Sequence, residues 1–156
     1  AEYVPIFGSD KLIEICSELP NVVIDNKNIY LPSKVSKPSL VVENYLKNLA
    51  KKEFTNTANF YCDKLGVSYS KIKLRDPRSR WGSCSFNGNL MFSWRLIMAP
   101  KNIIRYLVAH EVAHLEHFNH SIDFWTAVFF LFGPYENERK WLRTEGTKLY
   151  FYKFKG

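Results

Sequence analysis

The sequence predicts an α+β domain, a small antiparallel sheet with helices packed on one side. Three observations predict it. Apolar residues recur at helical spacing over residues 39–65, two β-prone runs follow at Lys71–Arg75 and Asn89–Arg95, and a second helical block opens at Pro100. The chain has 156 residues, 46% hydrophobic and 16% aromatic, enough for a core without disulfide staples and too apolar for disorder.

Each element has a local cause. Residues 1–36 read as an N-terminal arm or subdomain: a short helix from Asp10 to Leu19 stopped by Pro20, then a hairpin turning at Asp25–Asn28, where Asn and Asp tolerate positive φ. Pro32 to Pro38 is polar and proline-bounded, a bend into the main domain at 37–156. A long helix follows, with Leu40, Val41, Tyr45, Leu46, Leu49, Phe54, Ala58, Tyr61, Cys62 and Leu65 on its apolar stripe and Gly66 just past its end. Lys71–Arg75 alternates, Ile72 and Leu74 against Lys71, Lys73 and Arg75, as a half-buried strand does. Asn87-Gly88 is a turn signal before the next run. Pro100 suits the first turn of a helix running to about Phe118, with Asn119 as a left-handed stop. Ser121 can cap the helix that ends at Gly133, and a last helix spans Tyr135 to about Tyr150. Trp125 and the Phe129-Phe130 pair read as core; the aromatic tail Tyr150–Phe154 could stack on nucleic-acid bases, although packing back on the body is simpler.

Composition narrows the function classes. The most apolar stretch, Phe124 to Phe132, is far short of the ~20 residues of a membrane helix. No basic-then-apolar leader opens the chain. Three scattered cysteines, Cys16, Cys62 and Cys84, make no disulfide framework and suit reduced thiols in the cytoplasm. The net charge of +7 attracts anionic partners. Lys71, Lys73, Arg75, Arg78 and Arg80 cluster, and Lys148, Lys153 and Lys155 mark the end. Strand faces turned to water are normally polar, so a solvated face is the simpler meaning of Lys71, Lys73 and Arg75; a nucleic-acid footprint is the other.

The chemistry lies in His110-Glu111-Val112-Ala113-His114, an H-E-x-x-H string on a predicted helix. Two His four residues apart share a face ~6 Å of rise apart, so their imidazoles can converge on one zinc ion at ~2.0–2.1 Å. Glu111, turned about a hundred degrees from His110, can reach a water on that ion without binding the ion itself. A catalytic zinc usually has three protein ligands. His120, past the predicted helix stop, is the best placed third. His117 lies ~10.5 Å along the axis from His110, too far for one ion. Glu136 or Glu138 could complete a His-His-Glu set instead, although acids at a helix start are ordinary. The metzincin pattern shares the His spacing, but His117 stands at its glycine position and both methionines, Met91 and Met98, precede the motif.

Arg80-Trp81-Gly82-Ser83-Cys84-Ser85, then Gly88, Trp94-Arg95-Leu96 and Pro100, then the run from His110 to Trp125, resemble the YgjP-like metallopeptidase family, related to WLM and SprT-type domains. The resemblance covers about Leu40 to Leu142. It implies a zincin-like core with HExxH on a central helix, Zn2+ held by His110, His114 and His120, Glu111 as general base, and a peptide or protein substrate. Arg80 is a possible substrate or oxyanion contact, with a Tyr as the other option, and the RWGSCS segment is a possible strand edge for substrate backbone. Trp81 and Cys84 read as core filling; Cys84 as a nucleophile lacks a base beside it. The reading from another class is a basic nucleic-acid module with a structural or vestigial zinc site.

Overall fold

Small residues four apart decide how the longest helix packs. Helix α1 (Pro38–Leu65) buries Val42, Leu46, Ala50, Phe54, Ala58 and Cys62, an i, i+4 seam in which Ala50 and Ala58 admit close neighbours. The expected stripe ran slightly off this seam, so Leu40 is exposed while Val42 and Ala50 are buried. Gly66 ends the helix in the left-handed conformation, φ 76°, with its N–H donating to the Cys62 carbonyl. The computed structural model describes residues 2–16, 19–33 and 36–154; Lys155 and residues 34–35 of the expected bend lie outside them.

The sheet expected to be antiparallel is two small mixed sheets. In the first, β1 (Tyr3–Ile6), β2 (Ser9–Cys16), β3 (Val23–Ile24) and β4 (Asn28–Pro32) lie in the order β1-β2-β4-β3, with β2 and β4 parallel. The helix expected over Asp10–Leu19 is therefore strand β2 as far as Cys16; Ser17 and Glu18 are outside the described residues. Pairing on both sides, with β1 and β4, outweighs a weak helical tendency in a segment containing Ile13 and Ile15. The expected β3–β4 hairpin is present, and the Asp25 carboxylate accepts from the backbone N–H groups of Lys27 and Asn28. Val4, Ile6, Ile29 and Leu31 join the same core as α1.

In the second sheet, β5 (Lys71–Arg75), β6 (Gly82–Cys84) and β7 (Asn89–Ser93) lie in the order β5-β7-β6. The β6–β7 hairpin turns at Gly88, φ 82°. It leaves β7 central, parallel to β5, with β6 as a free edge. A 3-10 turn (Trp94–Met98) then feeds α2 (Lys101–Ala113) from Pro100. The arm is tied here too, since Phe7 and Gly8 N–H groups donate to the Ile97 and Met98 carbonyls at 2.8 and 3.1 Å.

Helix α2 stops at Ala113, short of the expected Phe118, and Asn119 takes no positive φ. Helix α3 (Ile122–Phe132) starts as expected, the Ser121 hydroxyl accepting from the Phe124 N–H. The last expected helix is divided into α4 (Glu136–Thr144) and a 3-10 turn (Gly146–Phe151). Gly146, at the division, lies against the Trp81 ring: a Cβ there would be 3.1 Å from it. Trp81 stacks on Tyr150 with centroids 4.9 Å apart, and Phe154 packs edge-on against Trp94, so the tail folds back on the body. No described helix is long and apolar enough to cross a membrane.

Candidate metal centre

Helix α2 is buried on most of its circumference, which is why Glu111 sits among Val108, Ala109, Val112 and Ala113 at only 3% exposure. His110 and His114, one turn apart at its end, face the same way. The chain then turns through Leu115–Asn119 and returns His120 to them. One ring nitrogen from each of His110, His114 and His120 lies within 4.8 Å of the other two.

Nε2 of His114 and Nε2 of His120 are 3.1 Å apart. Two bonds of ~2.0–2.1 Å to one tetrahedral ion hold their nitrogens about 3.3 Å apart, so the spacing fits a shared ion. The His114 Nδ1–H donates to the His117 carbonyl at 3.0 Å, which fixes the ring and leaves the Nε2 lone pair aimed at His120. Burial lowers the His114 pKa, partly opposed by that hydrogen bond and by Glu111. Burial and the neighbouring His110 lower that of His120. Both shifts favour the neutral imidazoles a metal needs.

Under the three rings lies Phe124, fully buried. Its ring stacks on His114 at 4.4 Å and stands edge-on to His110 and His120 at 5.1 and 4.9 Å. Glu111 is the fourth group of the cluster, its Oε2 accepting from His110 Nδ1 at 3.1 Å. Gly82 leaves it room. A Cβ on Gly82 would lie 3.2 Å from Glu111 Oε2 and 3.1 Å from the Met91 carbonyl oxygen. The cleft is thus walled by Gly82, Ser83 and Cys84 of the free edge β6 on one side, and by His110, Glu111, His114, Phe118 and His120 on the other.

Other sequence-predicted residues are placed elsewhere. Arg80 is exposed on the loop before β6 and does not line the cleft. His117 lies off the helix, with Nε2 3.1 Å from Glu116. Glu138 accepts from Asn102, and neither it nor Glu136 joins the histidine cluster. Burial and the charge of Glu111 push the Cys84 thiol up to about 11, so it is no thiolate nucleophile at neutral pH. Lys71, Lys73 and Arg75 form an exposed face of β5 outside the cleft. Phe129 and Phe130, expected in the core, are 56% and 54% exposed, and Trp125 is half-buried beside His120. Residue spacing pointed to none of Phe124, Phe118, the His117 carbonyl or Gly82's role as seat of Glu111. A glycine opening a β-run opposite the motif helix, and an aromatic four residues after His120, were the available signals.

Comparison with known proteins accords with this geometry. No curated protein matches the chain. The metallopeptidase zymogen of Pyrococcus abyssi, abylysin, is similar in structure at a TM-score of 0.53 with 22% identity, over 62% of this chain and 95% of that one. The zymogen of Methanocaldococcus jannaschii jannalysin gives 0.49 with 19% identity, over 61% and 94%. Abylysin supports the fold, a small α+β core. The family model described as YgjP-like, metallopeptidase domain, matches residues 2–145, nearly the whole chain. With a histidine triad beside a buried glutamate and that match along its length, the chain belongs to the YgjP-like metallopeptidase domain family.

Proposed function

We propose that the protein is a zinc-dependent peptidase in which His110, His114 and His120 hold the ion and Glu111 is the general base. The supporting observation is the convergence of three imidazole nitrogens within 4.8 Å, beside a carboxylate with 3% exposure. Three neutral nitrogens in a compact cluster are a donor set that zinc would accept. Zinc bound there supplies Lewis acidity, lowering the pKa of water toward ~7 and polarising a carbonyl.

The chain's own residues do the rest. A substrate laid along β6 in extended form extends the sheet through the strand's unpaired side. Glu111 takes a proton from water as its oxygen attacks the scissile carbonyl carbon. It then returns that proton to the amide nitrogen as the C–N bond breaks, giving a carboxylic acid and an amine, and the acid's proton passes to the amine to leave a carboxylate and an ammonium group. Phe124 keeps the rings from turning, and the buried setting of Glu111 keeps its carboxylate directed at the reacting water. Arg80, exposed where the chain leads into β6, would meet the substrate outside the cleft. In this reading residues 37–156 are the catalytic domain, residues 1–36 are an arm bracing the turn before α2, and the thiols suit a reducing cytoplasm.

Metal analysis with hydrolysis assays on wild type and Glu111→Gln tests it. The wild type should bind one zinc per chain and cleave peptides; the variant should keep the zinc and lose turnover by about 10²-fold or more. Equal turnover in both overturns the role of Glu111, and absence of zinc binding overturns the site.

A further inference from the structure

Resting on the peptidase reading above, we propose that the apolar pocket beside His120 takes a large apolar side chain of the substrate, and that Arg139 at its edge selects an acidic residue next to it. The pocket is open and built from Ile122, Trp125, Phe129 and Tyr135. Helix α3 turns Phe124, Ala127, Val128 and Leu131 inward, yet leaves Ile122 85% and Phe129 56% exposed. Apolar side chains exposed together in a concave surface mark a binding site more often than chance.

Position identifies the occupant. His120 lines both this pocket and the metal cleft, so a side chain in the pocket belongs to a residue close to the scissile bond. The Trp125 ring is 5.8 Å from that of His110 and 5.9 Å from that of His120. The wall is preformed, because Trp125 stacks on Tyr135 at 4.9 Å and Tyr135 on Tyr106 at 6.1 Å. A second copy of the chain is a poorer occupant, since a stable interface takes about 20–30 residues a side and this surface offers a handful.

Charge refines the class. The Arg139 guanidinium lies 4.6 Å from the Trp125 ring centre and makes no ion pair among the described residues. A carboxylate beside the apolar residue would meet that free cation at the pocket rim, and the net charge of +7 draws acidic chain segments toward the molecule.

The test uses zinc-loaded full-length protein and internally quenched peptides differing at two neighbouring positions, Phe or Ala and Glu or Lys. Wild type should cleave Phe-Glu about tenfold or more faster, in kcat/KM, than either Ala-Glu or Phe-Lys. Ile122→Ser with Phe129→Ala, both exposed positions, should bring the Phe/Ala ratio toward one. Arg139→Gln should bring the Glu/Lys ratio toward one, and zinc content should stay at wild-type level in both. Titration of the same peptides into Glu111→Gln protein gives the preference without turnover. Cleavage with no difference between peptides overturns the pocket and leaves the peptidase reading standing. Selective binding with no cleavage by wild type overturns the peptidase reading and keeps the pocket. A wild-type dimer that Ile122→Ser dissolves assigns the surface to a second copy and overturns the proposal.

Discussion

Gly82 and Phe124 act at the scale of single residues, one above Glu111 and one beneath the histidines. A methyl group at position 82 meets the Met91 carbonyl oxygen at 3.1 Å, and backbone in a paired strand yields little, so the Glu111 side chain must give way. Gly82→Ala is expected to cost about 1–3 kcal/mol in urea denaturation. It should also lower kcat while leaving bound zinc at one per chain, which separates a displaced base from a lost metal. Phe124→Ala acts in the reverse direction. It removes a fully buried ring in contact with three imidazoles, with an expected loss of about 3–5 kcal/mol. Freed to rotate, the rings should bind zinc more weakly, read by competition with a chromophoric chelator; unchanged affinity would show that Phe124 only fills space.

Buried charge organises the next scale, that of elements. Arg95 is 4% exposed, yet its guanidinium donates to Asp76 at 2.7 Å and to the Leu149 and Tyr152 carbonyls at 2.9 Å. One side chain thus joins the loop leading to β6, the turn before α2 and the C-terminal 3-10 turn. Arg95→Met should cost about 2–4 kcal/mol, because the Leu149 and Tyr152 carbonyls lose their donor and the partly exposed Asp76 keeps only Arg78. Burial raises the Asp76 pKa, but the hydrogen bonds and charges of Arg95 and Arg78 outweigh it and hold it below 3.8. A carboxyl with a lowered folded pKa adds stability above its unfolded pKa and loses it as pH falls through the folded one. Wild type should therefore lose stability below about pH 4 more steeply than Asp76→Asn, as followed by denaturant midpoints against pH. Elements whose cause is local were legible in the sequence: α1 with its Gly66 stop, the Ser121 cap, the Asn87-Gly88 turn and the His110–His114 face. Elements decided by distant partners were not. Strand β2 depends on two neighbours, and the packing of the segment after α4 on Trp81 lying against Gly146.

For the whole molecule, the candidate metal site is also the joint between α2, the loop after it and α3, so zinc bound there should stabilise the fold and not only the reaction. His120 is exposed and lies on that loop, beyond the end of α2, and the sequence already singled it out as the best placed third imidazole; what spacing could not supply was the apolar floor that gathers three rings from two segments. A ligand that binds the folded state alone adds RT ln(1 + [L]/Kd), about 2.7 kcal/mol at a hundred times Kd. Chelation should therefore lower the melting temperature, and zinc should restore it. The pH sense follows from the histidines. His114 and His120 titrate below 6.5 in the folded chain, so above that value they are neutral in both states and add no pH dependence to the metal-free protein. As pH falls from 6.5 toward their folded pKa values, the unfolded chain takes up protons first, and the metal-free fold loses stability. With zinc bound the rings cannot protonate without releasing the ion, so the loss should be larger and accompanied by zinc release. Melting temperatures of the zinc-loaded and chelated protein between pH 8 and pH 5 check this. Converging curves toward acid pH, with zinc appearing free in solution, are the expected outcome; a constant gap would mean that zinc binds through groups other than these imidazoles.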